Sequence, residues 1–240
     1  MSLMIDIGNT KTKYAYFVGD SIKEKGVCRL EDLSKIISDY SEKGKNIMLS
    51  SVKPLPDILL SKQINKRGEL IVLSSELEMP FKTQYQTPKT LGADRLALVA
   101  GAVFVFSNKP VLIIDVGTCI TFDFVDEKKR YHGGSISPGL KMRLRALSNQ
   151  ISALPLVDIS EPKDLIGYST KESILSGVVN GAIKELEGTI DAYQKRYSDI
   201  IVVLTGGDAR FFDKKLKNSI FADEDILLKG MYFILKTICK

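Results

Sequence analysis

The 240-residue chain has one histidine, His132, and three widely separated cysteines, Cys28, Cys119 and Cys239. An odd cysteine count without a CxxC pair supports neither a disulfide framework nor a thiolate zinc site, and points to a reducing compartment. A lone histidine excludes a histidine-rich metal centre, and any Ser-His-Asp triad would have to be built around that single residue. The longest apolar run, residues 96–106, falls far short of the ~20 residues a bilayer demands. Asp6, with no basic segment before it, argues against a signal peptide. A soluble, cytoplasmic protein is therefore expected, with no membrane partner. No Walker A pattern and no Gly/Ser-rich linker are present.

The remaining composition is that of an ordinary globular protein, 44% hydrophobic and 26% charged, with 18 glycines and 8 prolines. Its length admits one large domain or two small ones. The net charge of +5 is spread over short or mixed patches, at residues 127–130, 141–145 and 214–217. A nucleic-acid surface would need a denser basic face interleaved with aromatics, so no nucleic-acid partner is expected.

A duplication narrows the choice of domain number. Met4-Ile5-Asp6-Ile7-Gly8-Asn9-Thr10 returns as Ile113-Ile114-Asp115-Val116-Gly117-Thr118, with Asp6 and Asp115 as equivalent positions. Each copy continues into an aromatic and β-branched segment, residues 13–18 and 120–125, which predicts a hairpin with Asp, Gly and Thr at its turn. Further strands are expected at residues 46–51, 70–73, 130–136 and 200–204. Helices are expected near 31–41 and 57–65, after Pro138, and over 170–193, where Leu175, Val178, Val179, Ala182, Leu186, Ile190 and Tyr193 form one apolar stripe. Ser169 and Glu172 suggest a capping box at the start of that long helix. The alternation is α/β, divided at residues 107–110 into an N-terminal lobe (1–108) and a C-terminal lobe (109–240). The two turns are expected to face each other across a cleft.

A strand ending in Asp-x-Gly-Asn/Thr offers a carboxylate and a tight loop of backbone N–H groups at one point. The loop suits a phosphate and the carboxylate a hydrated cation. One such turn can be merely a hairpin; two copies and a third glycine turn, Thr205-Gly206-Gly207-Asp208, favour a nucleotide site.

This triplet resembles the actin and sugar-kinase superfamily of ATPases, in which two ribonuclease-H-like lobes clasp ATP. The segments Thr90-Leu91-Gly92-Ala93-Asp94-Arg95-Leu96-Ala97 and Gly133-Gly134-Ser135-Ile136-Ser137-Pro138-Gly139-Leu140 are similar to those of type III pantothenate kinases. The similarity runs from Asp6 to Asp208. It implies ATP-dependent phosphorylation of pantothenate, the first step of coenzyme A synthesis, by a homodimer that uses Mg²⁺ and a monovalent cation, K⁺ or NH₄⁺. Carried over by position, Asp6, Ile7, Gly8, Asn9, Thr10, Lys11, Thr12 and Lys13 would hold the ATP phosphates, with Asp6 near Mg²⁺, and Thr118 would also contact ATP. Asp115 would bind the monovalent cation. Gly92, Ala93, Asp94 and Arg95 match the pantothenate loop, with Asp94 as proton acceptor, and Tyr85 and Thr170 match further substrate contacts. The family carries Asn before that threonine, where this chain has Ser169. Two alternatives remain beside this reading: a non-catalytic transcriptional accessory factor or nucleotide-dependent regulator, and a sugar or acetate kinase, both on the same scaffold.

Overall fold

Strands β1 (Ser2–Ile7) and β2 (Thr12–Val18) form the first expected hairpin in the computed structural model, which describes residues 1–41, 46–53 and 70–239. The helix expected over 57–65 lies outside the described residues. β1 is the centre of a five-stranded sheet completed by β3 (Ser21–Cys28), β4 (Asn46–Ser51) and β5 (Leu70–Val72), in the order β3-β2-β1-β4-β5. Strand β3 was not evident from the sequence because it is polar, Ser-Ile-Lys-Glu-Lys-Gly-Val-Cys. Charged side chains suit an edge strand, which has only one neighbour and must discourage others.

Period-two alternation decides what each face of this sheet does. Leu3, Ile5 and Ile7 pack with Ile47 and Leu49 against Leu33, Ile37 and Tyr40 of α1 (Leu33–Ser41), which follows a 3₁₀ turn. The opposite face carries the pairs Ser2/Phe17, Met4/Ala15 and Asp6/Lys13. Phe17 stacks on Tyr232, ring centroids 4.4 Å apart. That face is covered by two helices, α2 (Ala93–Val105) and the C-terminal α6 (Ile226–Ile238). Their axes approach closely through small residues. A Cβ built on Gly230 would lie 1.8 Å from the Ala97 carbonyl oxygen, and one on Gly101 2.1 Å from that of Ile226.

The second sheet contains β7 (Val111–Val116), β8 (Cys119–Val125), β9 (Arg130–Pro138), β10 (Ile201–Thr205) and β11 (Phe221–Ala222) in the order β11-β10-β7-β8-β9. β7 and β8 are the second hairpin, with Asp115 opposite Thr121, and β10 lies parallel to β7 with Thr205 beside Asp115. The short β6 (Lys82–Thr83) pairs with Arg130 and Tyr131 at the start of β9. Helices α3 (Leu140–Gln150), α4 (Thr170–Arg196) and α5 (Ala209–Asp213) follow in order. The stripe expected on α4, Leu175 to Ile190, is buried in the core of this sheet with Leu112, Ile114 and Leu204.

The chain divides into two compact units. One comprises Met1–Asn108, Lys128–Tyr131 and Asp225–Lys240, and the other Lys109–Glu127 and His132–Glu224. The last helix, assigned by sequence order to the second lobe, packs in the first unit because its apolar face fits α2.

The α2–α6 contact involves backbone atoms on both sides, so it cannot absorb a side chain by rotamer adjustment. Gly230→Ala is expected to cost about 1–3 kcal/mol, read by circular dichroism or calorimetry as a fall in Tm of about 3–10 °C.

Candidate active site

In each hairpin the aspartate is the penultimate residue of the inner strand, so a glycine turn begins two residues beyond it. The two turns differ in size: residues 8–11 separate β1 from β2, whereas only Gly117 and Thr118 separate β7 from β8. The first is closed by Gly8 N–H donating to Lys11 C=O (3.1 Å), the second by Gly117 N–H donating to Cys119 C=O (2.9 Å). The longer loop leaves Asn9, Thr10 and Lys11 exposed at the edge of a pocket of about 640 Å³. Val27, Cys28, Arg29, Leu30, Asp32 and Lys53 line its far wall.

Asp6 is 8% exposed, and its Oδ1 has no hydrogen-bond partner among the described residues. Burial pushes its pKa from 3.8 to about 6. The Ser50 hydroxyl on β4 opposes that shift, the negative charge of Asp94 adds to it, and Lys13 opposes it. Ser50 Oγ is itself buried and without a partner of good hydrogen-bond geometry. A desolvated carboxylate with an unused oxygen is a fit for a cation, and among the described residues no group of three His, Cys, Asp or Glu side chains could hold a metal alone. Ser50 escaped the sequence analysis because only the parallel register of β1 and β4 sets it beside Asp6.

Gly92 is the N-cap of α2, which puts Asp94 in the first turn. Asp94 Oδ1 accepts from the Arg95 N–H at 2.8 Å, and a Cβ on Gly92 would lie 2.4 Å from that same oxygen. Arg95 is buried, with its guanidinium 5.7 Å from the Tyr85 ring centroid. Tyr85 stacks in turn on the fully buried Tyr131, centroids 6.1 Å apart, and its N–H donates to Thr83 Oγ1 at 3.0 Å. Within the first unit, therefore, Asp6 and Lys13 share one sheet face, Asp94 couples electrostatically to Asp6, and Tyr85 and Arg95 form one stacked group.

The second unit gathers its own set. Asp208 N–H donates to Val116 C=O (2.9 Å) and Gly139 N–H to Thr118 C=O (3.1 Å), tying the third glycine turn and the start of α3 to the second hairpin. Gly206 has φ of 103°, and a Cβ there would lie 2.3 Å from Asp115 Oδ1, so this turn requires glycine on both counts. Thr118 is exposed. Thr170 is the exposed first residue of α4, lining a groove of about 510 Å³ with Arg143, Leu147, Ile174 and Val178. The expected cap is present, with Ser169 Oγ accepting from Glu172 N–H at 3.2 Å. Glu172 Oε2, however, accepts from Tyr168 N–H (3.1 Å). His132 pairs with Asp126 at 2.9 Å and packs on Phe124, which accounts for it as a structural residue.

Residues 2–192 match the model of a protein family, type III pantothenate kinase. The chain belongs to that family. It is 43% identical to a type III pantothenate kinase of Flavobacterium johnsoniae over 96% of both chains, and 45% identical to one of Christiangramia forsetii over 98% of both. Two solved structures share the fold at lower identity. A Campylobacter jejuni protein named for the Baf family of transcriptional activators superposes at a TM-score of 0.63 with 21% identity, covering 98% of both chains. The ROK hexokinase of Thermus thermophilus superposes at 0.52 with 15% identity, covering 98% of this chain and 99% of that one. The fold is the expected α/β fold of the actin and sugar-kinase superfamily, and in this pantothenate kinase family member Asp6 stands just ahead of the first glycine turn.

The raised pKa of Asp6 has a definite sign in stability. With the folded value near 6 and the ordinary carboxylate value at 3.8, the folded state binds more protons between these pH values, so stability falls as pH rises through 6. Asp6→Asn removes that loss. Without divalent cation or nucleotide, the variant is expected to exceed the parent by about 2–3 kcal/mol at pH 7.5 and by little at pH 4, as measured by urea unfolding.

Proposed function

We propose that this chain transfers the γ-phosphoryl group of ATP to the hydroxyl of pantothenate, forming 4′-phosphopantothenate and ADP. The observation that carries the reading is the buried, unsatisfied Asp6 carboxylate beside a glycine turn and electrostatically coupled to Asp94, in a chain of the type III pantothenate kinase family.

Phosphoryl transfer passes through a loose transition state that needs alignment and charge compensation more than a strong base. The backbone of Ile7 to Thr12 receives the phosphate oxygens, Lys13 offsets their charge, and Thr118 adds a hydroxyl contact to ATP. Asp6 would hold Mg²⁺, directly or through water, and the ion would supply positive charge to the phosphate oxygens. Asp94 accepts a hydrogen bond from the pantothenate hydroxyl, orients it for in-line attack and takes its proton late. Gly92 and Ala93 give the substrate close approach to the backbone. Arg95, stiffened by stacking on Tyr85, pairs with the pantothenate carboxylate, and Thr170 adds a polar contact. Asp115 with nearby main-chain carbonyls suits K⁺ or NH₄⁺, since a large monovalent ion takes carboxylate and carbonyl oxygen donors.

The reaction belongs in the cytoplasm, where ATP is available; no helix among the described residues is long and apolar enough to cross a membrane. The second unit exposes Leu156, Leu165, Ile166 and Tyr168 ahead of α4. Exposed apolar side chains concentrated in one loop favour a homodimer interface there.

ADP release is expected to depend on pantothenate and Mg²⁺ and to be faster in K⁺ than in Na⁺. Asp94→Asn should lower kcat by about 100-fold or more, and Asp115→Asn should remove the preference for K⁺. Absence of pantothenate-dependent turnover in K⁺ overturns the enzyme reading. Light scattering is expected to give twice the chain mass for the parent and a shift toward monomer for Tyr168→Glu.

A further inference from the structure

The chain leaving β4 runs directly beside the first phosphate turn. Val52 N–H donates to the carbonyl of Ile7, the last residue of β1, at 3.3 Å. Ser51 Oγ accepts from Lys53 N–H at 3.1 Å and donates to Lys53 C=O at 2.7 Å, a local hydroxyl turn that holds Lys53 in place. The Lys53 side chain then reaches across to the hairpin, where its Nζ donates to the Asn9 carbonyl at 2.8 Å. Lys53 lines the same pocket of about 640 Å³ as residues 7–12.

The chemistry of that contact is informative. A carbonyl oxygen at the lip of a phosphate turn presents negative potential to an incoming phosphate, while the amides of Asn9, Thr10 and Lys11 have no hydrogen-bond partner among the described residues. An ammonium on the Asn9 carbonyl cancels that repulsive dipole and adds a full positive charge to the pocket wall. An ammonium has three N–H donors, and the Asn9 carbonyl takes one. Two donors are left to face the pocket.

We propose that Lys53 is a further phosphate-binding residue of this kinase, bracing the Asn9 carbonyl with one N–H and receiving nucleotide phosphate oxygens with the others. The inference rests on the ATP reading of the first turn, and adds to it a residue 44 positions beyond Asn9, just past the end of β4. Lys53 is exposed, so its substitution leaves the core untouched.

The test compares Lys53→Met, which keeps length and removes charge, with Lys53→Arg, which keeps charge. Affinities for ATP and AMP are measured by calorimetry, and KM for each substrate by ADP release. Lys53→Met is expected to raise the Kd and KM for ATP about 5- to 20-fold, roughly what loss of one charge-assisted hydrogen bond gives. The KM for pantothenate and the melting temperature stay unchanged. AMP, with a single phosphate, weakens less than ATP, and Lys53→Arg recovers most of the loss. Unchanged ATP affinity in Lys53→Met overturns the proposal, as does an equal loss for ATP and AMP. Failure of the unmodified chain to bind ATP overturns the kinase reading along with it, whereas normal ATP binding by both parent and Lys53→Met overturns the Lys53 assignment alone.

Discussion

A carboxylate buried at a strand end, with one oxygen left unsatisfied, is unfavourable until a proton or a cation meets it. Asp6 is in that position, and much of the first unit is arranged around it. Hydrogen bonding along β1 holds it in place between Lys13 and Ser50. The apolar residues that alternate with it, Ile5 and Ile7, are locked into the core on the other face. The desolvation that raises its pKa is also what makes a bound cation favourable there, because the same burial that disfavours a bare charge strengthens its attraction to a counter-charge.

The close contact of α2 with α6 serves the same region from the other side. Gly101 and Gly230 allow the helices to touch backbone to backbone, and α2 begins at the Gly-Ala-Asp-Arg segment. A helix packed this tightly cannot shift along its axis without clashes. Asp94 and Arg95, in its first turn, are therefore placed by rigid structure even though the loop before them is irregular. Arg95 is further confined by Tyr85, which Tyr131 supports from beneath. Side chains held by packing rather than by long flexible chains lose little entropy when a ligand arrives.

Much of this was legible in the chain. The recurrence of Asp-Ile-Gly and Asp-Val-Gly identified both hairpins, since glycine after a strand-terminal aspartate has few other structural uses. The α4 stripe and its Ser169 cap followed from helical spacing and side-chain chemistry, which are local. The polar edge strand β3 and the destination of α6 were not legible. A strand without alternation leaves no periodic signal, and an amphipathic helix does not specify which of two units it will cover. Ser50 and Lys53 were equally hidden, because β4 becomes the neighbour of β1 only through a long-range parallel pairing.

The sequence alone thus determined the α/β class, the duplicated turns and the family, all of which reside in short contiguous segments whose chemistry depends on immediate neighbours. Tertiary structure decided how those segments are environmentally tuned. It buried Asp6 while leaving Asn9 and Thr10 exposed, set Ser50 against one carboxylate, brought Gly206 against Asp115, and laid Lys53 on the Asn9 carbonyl. Desolvation and cross-strand proximity are properties of packing, and residues far apart in the chain acquire them only when the sheet is assembled.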